Sequence, residues 1–115
     1  VKAPSIHLRF SPAVLPETAG RLRAQVRALL GETRAAGVWL PDGLSWWGRN
    51  PALSRALGDA GFIGMTWPRQ YGGSERSYLE RYIVTEELLA AGAPTAFHWF
   101  ADRQIGPSIL SYGTE

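Results

Sequence analysis

The chain is poor in the residues that make metal and redox chemistry. Its 115 residues include no cysteine, one methionine, a single lysine and two histidines. Without cysteine there is no disulfide framework and no thiolate metal site, and nothing argues for an oxidising compartment. His7 and His98 stand far apart, and no acidic cluster has the order of a calcium loop, so no metal site is expected. Apolar runs are too short to span a membrane. No apolar core follows Lys2, so no secretory leader is expected. These absences lead to the expectation of a soluble, cytoplasmic protein.

Charge is also sparse. The formal net charge is +2, and apart from Lys2 the cations are arginines interleaved with acids. No basic block of the kind that neutralises phosphates stands out, so nucleic acid is not expected as a partner. What the chain has is apolar bulk: 45% hydrophobic residues and five tryptophans. That composition supports one folded domain and argues against disorder.

Pro4, Pro12 and the Ser11-Pro12 pair mark residues 1–15 as an irregular arm. Pro16 suits the first helical position, and Glu17 sits well at the positive end of the helix dipole. Leu22, Val26, Leu29 and Thr33 then share one face, with Leu30 at its edge. Arg23, Arg27 and Arg34 form a second stripe. It can hold a phosphate-bearing ligand or be the solvent side of an amphipathic helix, and the pattern favours solvent. Gly37 is a plausible stop.

Residues 38–48 form a loop rich in aromatic surface, with Trp39, Pro41, Gly43, Trp46 and Trp47. Asn50-Pro51 is a strong helix start, followed by the stripe Leu53, Leu57, Ala60 and a stop at Gly61. Phe62 to Trp67 reads as a short extended apolar run, and Pro68 with Gly72-Gly73 as a turn.

Ser77 and Glu80 have capping-box spacing. The helix they open should run to about Ala91, closed by Gly92 and Pro94. Its wheel is apolar nearly all round, with a narrow polar strip at Glu80 and Glu87, so it is expected to be central and buried. Glu87 reads as solvated. Glu86 points into the apolar side, as an acid/base group or, favoured here, as a structural partner for an amide or an arginine. A further helix should run from Thr95 to about Gln104, and Pro107 should start a last one, from Ser108 to Tyr112. The expectation is an all-α fold of about five helices packed around one central buried helix.

The serines, such as Ser45, lack a glycine-elbow context, and Gly72-Gly73 lacks the spacing and lysine of a phosphate loop. No catalytic residue, cofactor-binding residue or metal ligand is expected within the chain. The strongest site candidates are Thr95, His98, Trp99 and Asp102, which recur at helical spacing on one face. Phe97, Phe100 and Ala101 fall on the other sides and read as core. The polar and aromatic face can line a ligand pocket, lie exposed, or contact a further domain.

The order of motifs in the second half carries a resemblance. Leu57-Gly58-Asp59-Ala60-Gly61-Phe62-Ile63-Gly64 precedes Thr66-Trp67-Pro68-Arg69-Gln70-Tyr71-Gly72-Gly73. There follow Glu86-Glu87-Leu88-Leu89-Ala90-Ala91-Gly92-Ala93-Pro94, Ile105-Gly106-Pro107 and Tyr112-Gly113-Thr114-Glu115. In that order they resemble the N-terminal helical domain of the acyl-CoA dehydrogenases, here residues 16–115. The resemblance implies a flavin-dependent enzyme that oxidises the α,β bond of an acyl-CoA thioester. It implies FAD in the full-length enzyme, none bound to this segment, an electron-transfer acceptor and an oligomer. It further implies that the barrel and C-terminal helical domains that complete such an enzyme, with the catalytic base, lie beyond Glu115. The helix after Pro94 would line the acyl pocket through Thr95, His98, Trp99 and Asp102, and its mixed character leaves room for a branched or ring-bearing acyl group as well as a linear one. The alternative is a free-standing helical interaction module without catalytic activity.

Overall fold

The computed structural model describes residues 9–41 and 47–114. Pro4, His7, Gly43, Ser45, Trp46 and Glu115, with the start of the arm, lie outside them. The fold is all-α: α1 (Glu17–Ala35), α2 (Pro51–Asp59), a short 3₁₀ turn (Arg69–Tyr71), α3 (Tyr78–Ala90), α4 (Ala96–Phe100), a π turn (Ala101–Ile105) and α5 (Gly106–Tyr112). Among the described residues there is no strand.

Local chemistry sets the helix ends. Pro16 caps α1 from outside, one residue earlier than its expected role, and its carbonyl accepts the Ala19 N–H at 2.9 Å. Asn50 Oδ1 accepts the Leu53 N–H at 2.8 Å, while its Nδ2 donates to the Val38 carbonyl and ties the preceding loop to α2. Ser77 and Glu80 close a complete capping box on α3. Gly61 and Gly92 adopt left-handed backbone after α2 and α3. The next amide then reaches back to the last turn: Phe62 N–H to Leu57 O at 2.8 Å, and Ala93 N–H to Leu88 O at 3.0 Å.

Leu22, Val26 and Leu30 of α1 form one core with Ile83, Val84 and Leu88 of α3. Leu53 and Leu57 of α2 join them, with Phe62 and Met65 from the following loop. Full burial of each such side chain is worth about 1.5–3 kcal/mol. Trp39 folds back into this core and donates its Nε1–H to Thr33 Oγ1 at 2.9 Å. Trp47 stays exposed. On α2, Ala60 is exposed and Ser54 takes the buried position.

Four readings are corrected. The arginine stripe of α1 is not free in solvent: Arg23 is half-buried, and Arg27, though 67% exposed, also turns its guanidinium to Glu87 of α3. Glu87 is therefore buried, not solvated. Tyr78, Tyr82 and Leu89, apolar on the wheel of α3, are the exposed side. Phe62 to Trp67 is not extended; it closes on itself, the Gly64, Met65 and Trp67 carbonyls accepting from Ser74, Arg76 and Glu75 amides. Gly73 must be glycine there, since a Cβ would lie 2.1 Å from the Trp67 carbonyl oxygen.

The break expected at Gly106-Pro107 does not occur. Ala101 and Gly106 both keep right-handed helical backbone, so α4, the π turn and α5 form one continuous run. The Gly106 amide donates to the Ala101 carbonyl, five residues back. This wider turn puts Pro107 in the first turn of α5, where a missing N–H is tolerated.

Candidate functional site

The helical run after Pro94 carries all four predicted site residues, and they do share a face. The face points inward. Thr95, His98 and Asp102 are buried and Trp99 is half-buried. The side expected to be core is turned out instead: Phe97 is 55% exposed and Phe100 42%.

Partnering explains the inversion, because a buried polar group costs little once its hydrogen bonds are made. His98 Nδ1 lies 2.7 Å from Ser54 Oγ on α2. Asp102 Oδ1 accepts the Gly64 N–H at 2.6 Å, and its Oδ2 accepts Arg103 Nε at 2.9 Å. Arg103 continues to Thr85 Oγ1 on α3, and its guanidinium stacks 4.8 Å from the Trp99 ring centroid. The adjacent Asp102 and Arg103 both lie in the π turn. Gly106 follows, and a Cβ there would meet the Trp67 indole at 2.2 Å. The inward face thus pins this helical run to α2, to the loop after it and to α3.

Burial pushes the His98 pKa below its usual value, with the Asp102 carboxylate opposing, so the imidazole is neutral near pH 7. Burial likewise lowers Arg103, again against Asp102. Ser54 and His98 are at nucleophile–base distance, but among the described residues no carboxylate is hydrogen-bonded to the ring. Both Asp102 oxygens already serve Gly64 and Arg103. A Ser-His-Asp triad is therefore not assembled.

A second polar cluster joins α1 to α3. Glu87 accepts Arg23 Nη1 at 2.6 Å, Arg27 Nε at 2.6 Å and Arg27 Nη2 at 3.0 Å. Arg23 also pairs with Glu86, which is half-exposed and holds the two helices together as the structural reading expected. The bonds from Arg27 and Arg23 lower the Glu87 pKa and raise those of the arginines.

Phosphate-binding groups do not converge here. Arg23, Arg27 and Arg103 are held by carboxylates. Amides of the Gly72-Gly73 loop are spent within it: Gly72 on Arg69, Gly73 on Pro68, Ser74 on Gly64, Glu75 on Trp67. These residues do not fit the pyrophosphate of a dinucleotide such as FAD. Among the described residues no three His, Cys, Asp or Glu side chains cluster as metal ligands. None of their helices is long and apolar enough to cross a membrane.

The outward face offers shape and apolar surface. Phe97, Phe100, Ile105, Ile109 and Tyr112 are all exposed along it. A shallow groove of about 490 Å³ runs past Ile105, Ser108, Ile109 and Tyr112. Sequence reasoning missed Ser54, Gly64, Thr85 and Arg103. Ser54 left a signal, as a polar residue between Leu53 and Leu57 in the apolar stripe of α2; Gly64 left none.

Residues 16–115 match the model of the acyl-CoA dehydrogenase N-terminal domain. The acyl-CoA dehydrogenase IpdE1 of Mycobacterium tuberculosis is 31% identical over 99 residues, covering 80% of this chain and 26% of that protein. FadE26, an acyl-CoA dehydrogenase of the same organism, is 37% identical over 59 residues, covering 51% of this chain and 14% of that one. A 3-sulfinopropanoyl-CoA desulfinase of Variovorax paradoxus is 54% identical over 60 residues, 50% of this chain and 15% of its own length. Among solved structures, a variant of the Tcur3481-Tcur3483 steroid ACAD superposes with a TM-score of 0.62 at 33% identity. That match covers 88% of this chain and 27% of the other. The chain spans about a quarter or less of these relatives.

Proposed function

The chain belongs to the acyl-CoA dehydrogenase family through its N-terminal domain, and from that premise we propose that it is the non-catalytic helical domain of an FAD-dependent enzyme acting on an acyl-CoA thioester. The reaction is α,β-dehydrogenation, with electrons passed on to a separate acceptor. Flavin, when bound by the rest of such an enzyme, supplies the oxidation. This chain supplies wall and assembly surface, and is inactive alone.

The observation that carries the reading is the inside-out helical run. Its polar side is turned inward, with Thr95, His98, Trp99 and Asp102 in contact with the rest of the fold, and its aromatic side is left uncovered. That is the construction of a pocket wall: a rigid inner frame with apolar residues presented outward. We place the acyl-facing surface at Phe97, Phe100, Ile105 and Ile109, with the four predicted residues as the frame behind it. Aromatic width at this wall favours a branched or ring-bearing acyl group. The steroid ACAD and the 3-sulfinopropanoyl-CoA desulfinase among the relatives support a substrate other than a plain fatty chain. Exposed apolar surface on this scale also favours oligomeric assembly.

The test compares the chain alone with the complete gene product. The chain alone should be colourless and inert towards acyl-CoA. The complete protein should carry flavin absorbance and oxidise acyl-CoA, with KM raised by Phe100→Ala. A yellow, active preparation of residues 1–115 would overturn the division of labour. A gene product that ends at Glu115 and captures a protein partner would favour the interaction-module reading instead.

A further inference from the structure

Between α2 and α4 lies a groove of about 350 Å³ lined by Pro51, Ser54, Arg55, Phe97, His98 and Ala101. Its polar groups have an unbalanced hydrogen-bond account. Ser54 is buried, and its hydroxyl makes one hydrogen bond among the described residues, to His98 Nδ1. A buried hydroxyl proton needs an acceptor, and Nδ1 is the one within reach. Ser54 therefore donates, Nδ1 accepts, and the neutral imidazole carries its proton on Nε2.

That Nε2–H makes no hydrogen bond among the described residues and is not one of their buried orphan atoms, so it opens on the groove that His98 lines. The nearest candidate along the helix is Asp102, four residues on. Its oxygens are taken by the Gly64 amide and Arg103. Arg55, on the same groove, makes no ion pair among the described residues. An unpaired N–H donor and an unpaired guanidinium thus stand at one groove beside the exposed Phe97 ring, with Pro51 and Ala101 as apolar walls.

We propose that this groove binds a small carboxylate with a flat apolar body, its carboxylate held by Arg55 and the His98 Nε2–H and its ring stacked on Phe97. A charged acceptor suits both donors, since a hydrogen bond in which one partner is ionised is about twice as strong as a neutral one. The site shares Phe97 with the proposed acyl-facing surface, but binding here needs no flavin and is tested on this chain alone.

Benzoate is the probe, titrated into the 115-residue chain and followed by ¹H–¹⁵N NMR. Saturable shifts are expected at Phe97, His98 and Ala101, with a dissociation constant of about 1 mM. Benzamide, of the same shape without the charge, and acetate, the charge without the ring, should each bind about tenfold more weakly. Arg55→Ala should weaken benzoate by about tenfold; Arg55 is exposed, so folding is not at stake. His98→Gln, which keeps an N–H donor near Nε2, should retain binding, and His98→Phe should lose it. The imidazole ¹⁵N spectrum should show the proton on Nε2. The proposal is overturned if benzoate gives no saturable shifts, if benzamide binds as tightly, if Arg55→Ala has no effect, or if the proton sits on Nδ1.

Discussion

Glu87→Gln tests whether the α1–α3 pairing depends on a shared carboxylate. In the native chain Glu87 takes three arginine hydrogen bonds. Gln keeps the shape, removes the charge, and turns one acceptor oxygen into an NH₂ facing a guanidinium. Breaking a fully buried ion pair costs about 3–5 kcal/mol, and an exposed pair is worth about 0.2–1 kcal/mol. This cluster lies between those limits, because the side chain of Glu87 is 6% exposed while that of Arg27 is 67% exposed. The expected loss is about 2 kcal/mol. With a urea m-value of about 1.5 kcal/mol/M, the unfolding midpoint at pH 7 should fall by about 1.3 M. The pH dependence is a separate check. Because the arginines depress the folded-state pKa of Glu87, its stabilisation is complete above the unfolded value of about 4.3 and is lost as pH falls through the lower folded value. The gap between wild type and Glu87→Gln should therefore close in acid. Equal midpoints at pH 7, or a gap that persists well below pH 4, would refute the clamp.

Gly106→Ala should cost about 2 kcal/mol, because its Cβ would fall 2.2 Å from the Trp67 ring and 2.8 Å from the Ala101 carbonyl oxygen. Near-UV circular dichroism and a thermal melt would register it, and an unchanged melt would mean the contact relaxes freely. Asp102→Asn offers an amide where Arg103 expects a carboxylate and weakens the bond from Gly64; a loss of about 2 kcal/mol is expected, or a melting point lower by about 8–12 °C. Phe100→Ser with Ile109→Ser should change stability by less than about 0.5 kcal/mol each, since both residues are exposed. The same pair should reduce self-association in sedimentation velocity, and unchanged association would place the sticky surface elsewhere.

Helix ends were legible in the sequence because their chemistry is local. Asn50 finds its acceptor role three residues on, Ser77 and Glu80 satisfy each other, and Gly61 and Gly92 fold the chain back on the turn just made. The sidedness of α3 was not legible. Its wheel offers apolar residues in nearly every direction, so hydrophobicity alone does not choose between Glu86 and Glu87. The choice is made by Arg23 and Arg27, some sixty residues away in the chain. The π turn hid for the same reason. Gly106-Pro107 reads locally as a helix break, and only the Trp67 indole, packed where a Cβ would sit, shows why a glycine is needed inside a continuous run.

The inversion after Pro94 shows where periodicity stops being informative. A period of 3.6 residues puts Thr95, His98, Trp99 and Asp102 on one face, and they share one. Periodicity alone leaves that face to a pocket, to solvent or to a further domain, because polar groups are costly to bury unpaired. Here the cost is offset residue by residue, by Ser54 Oγ, the Gly64 amide and Arg103. With the polar side satisfied inward, nothing among the described residues is left to cover Phe97, Phe100, Ile105 and Ile109. A lone domain gains nothing by spending its hydrogen bonds to hold four large apolar side chains in water. The arrangement makes energetic sense if that outer row is buried against something further, and this supports the proposal that the frame and the wall work together.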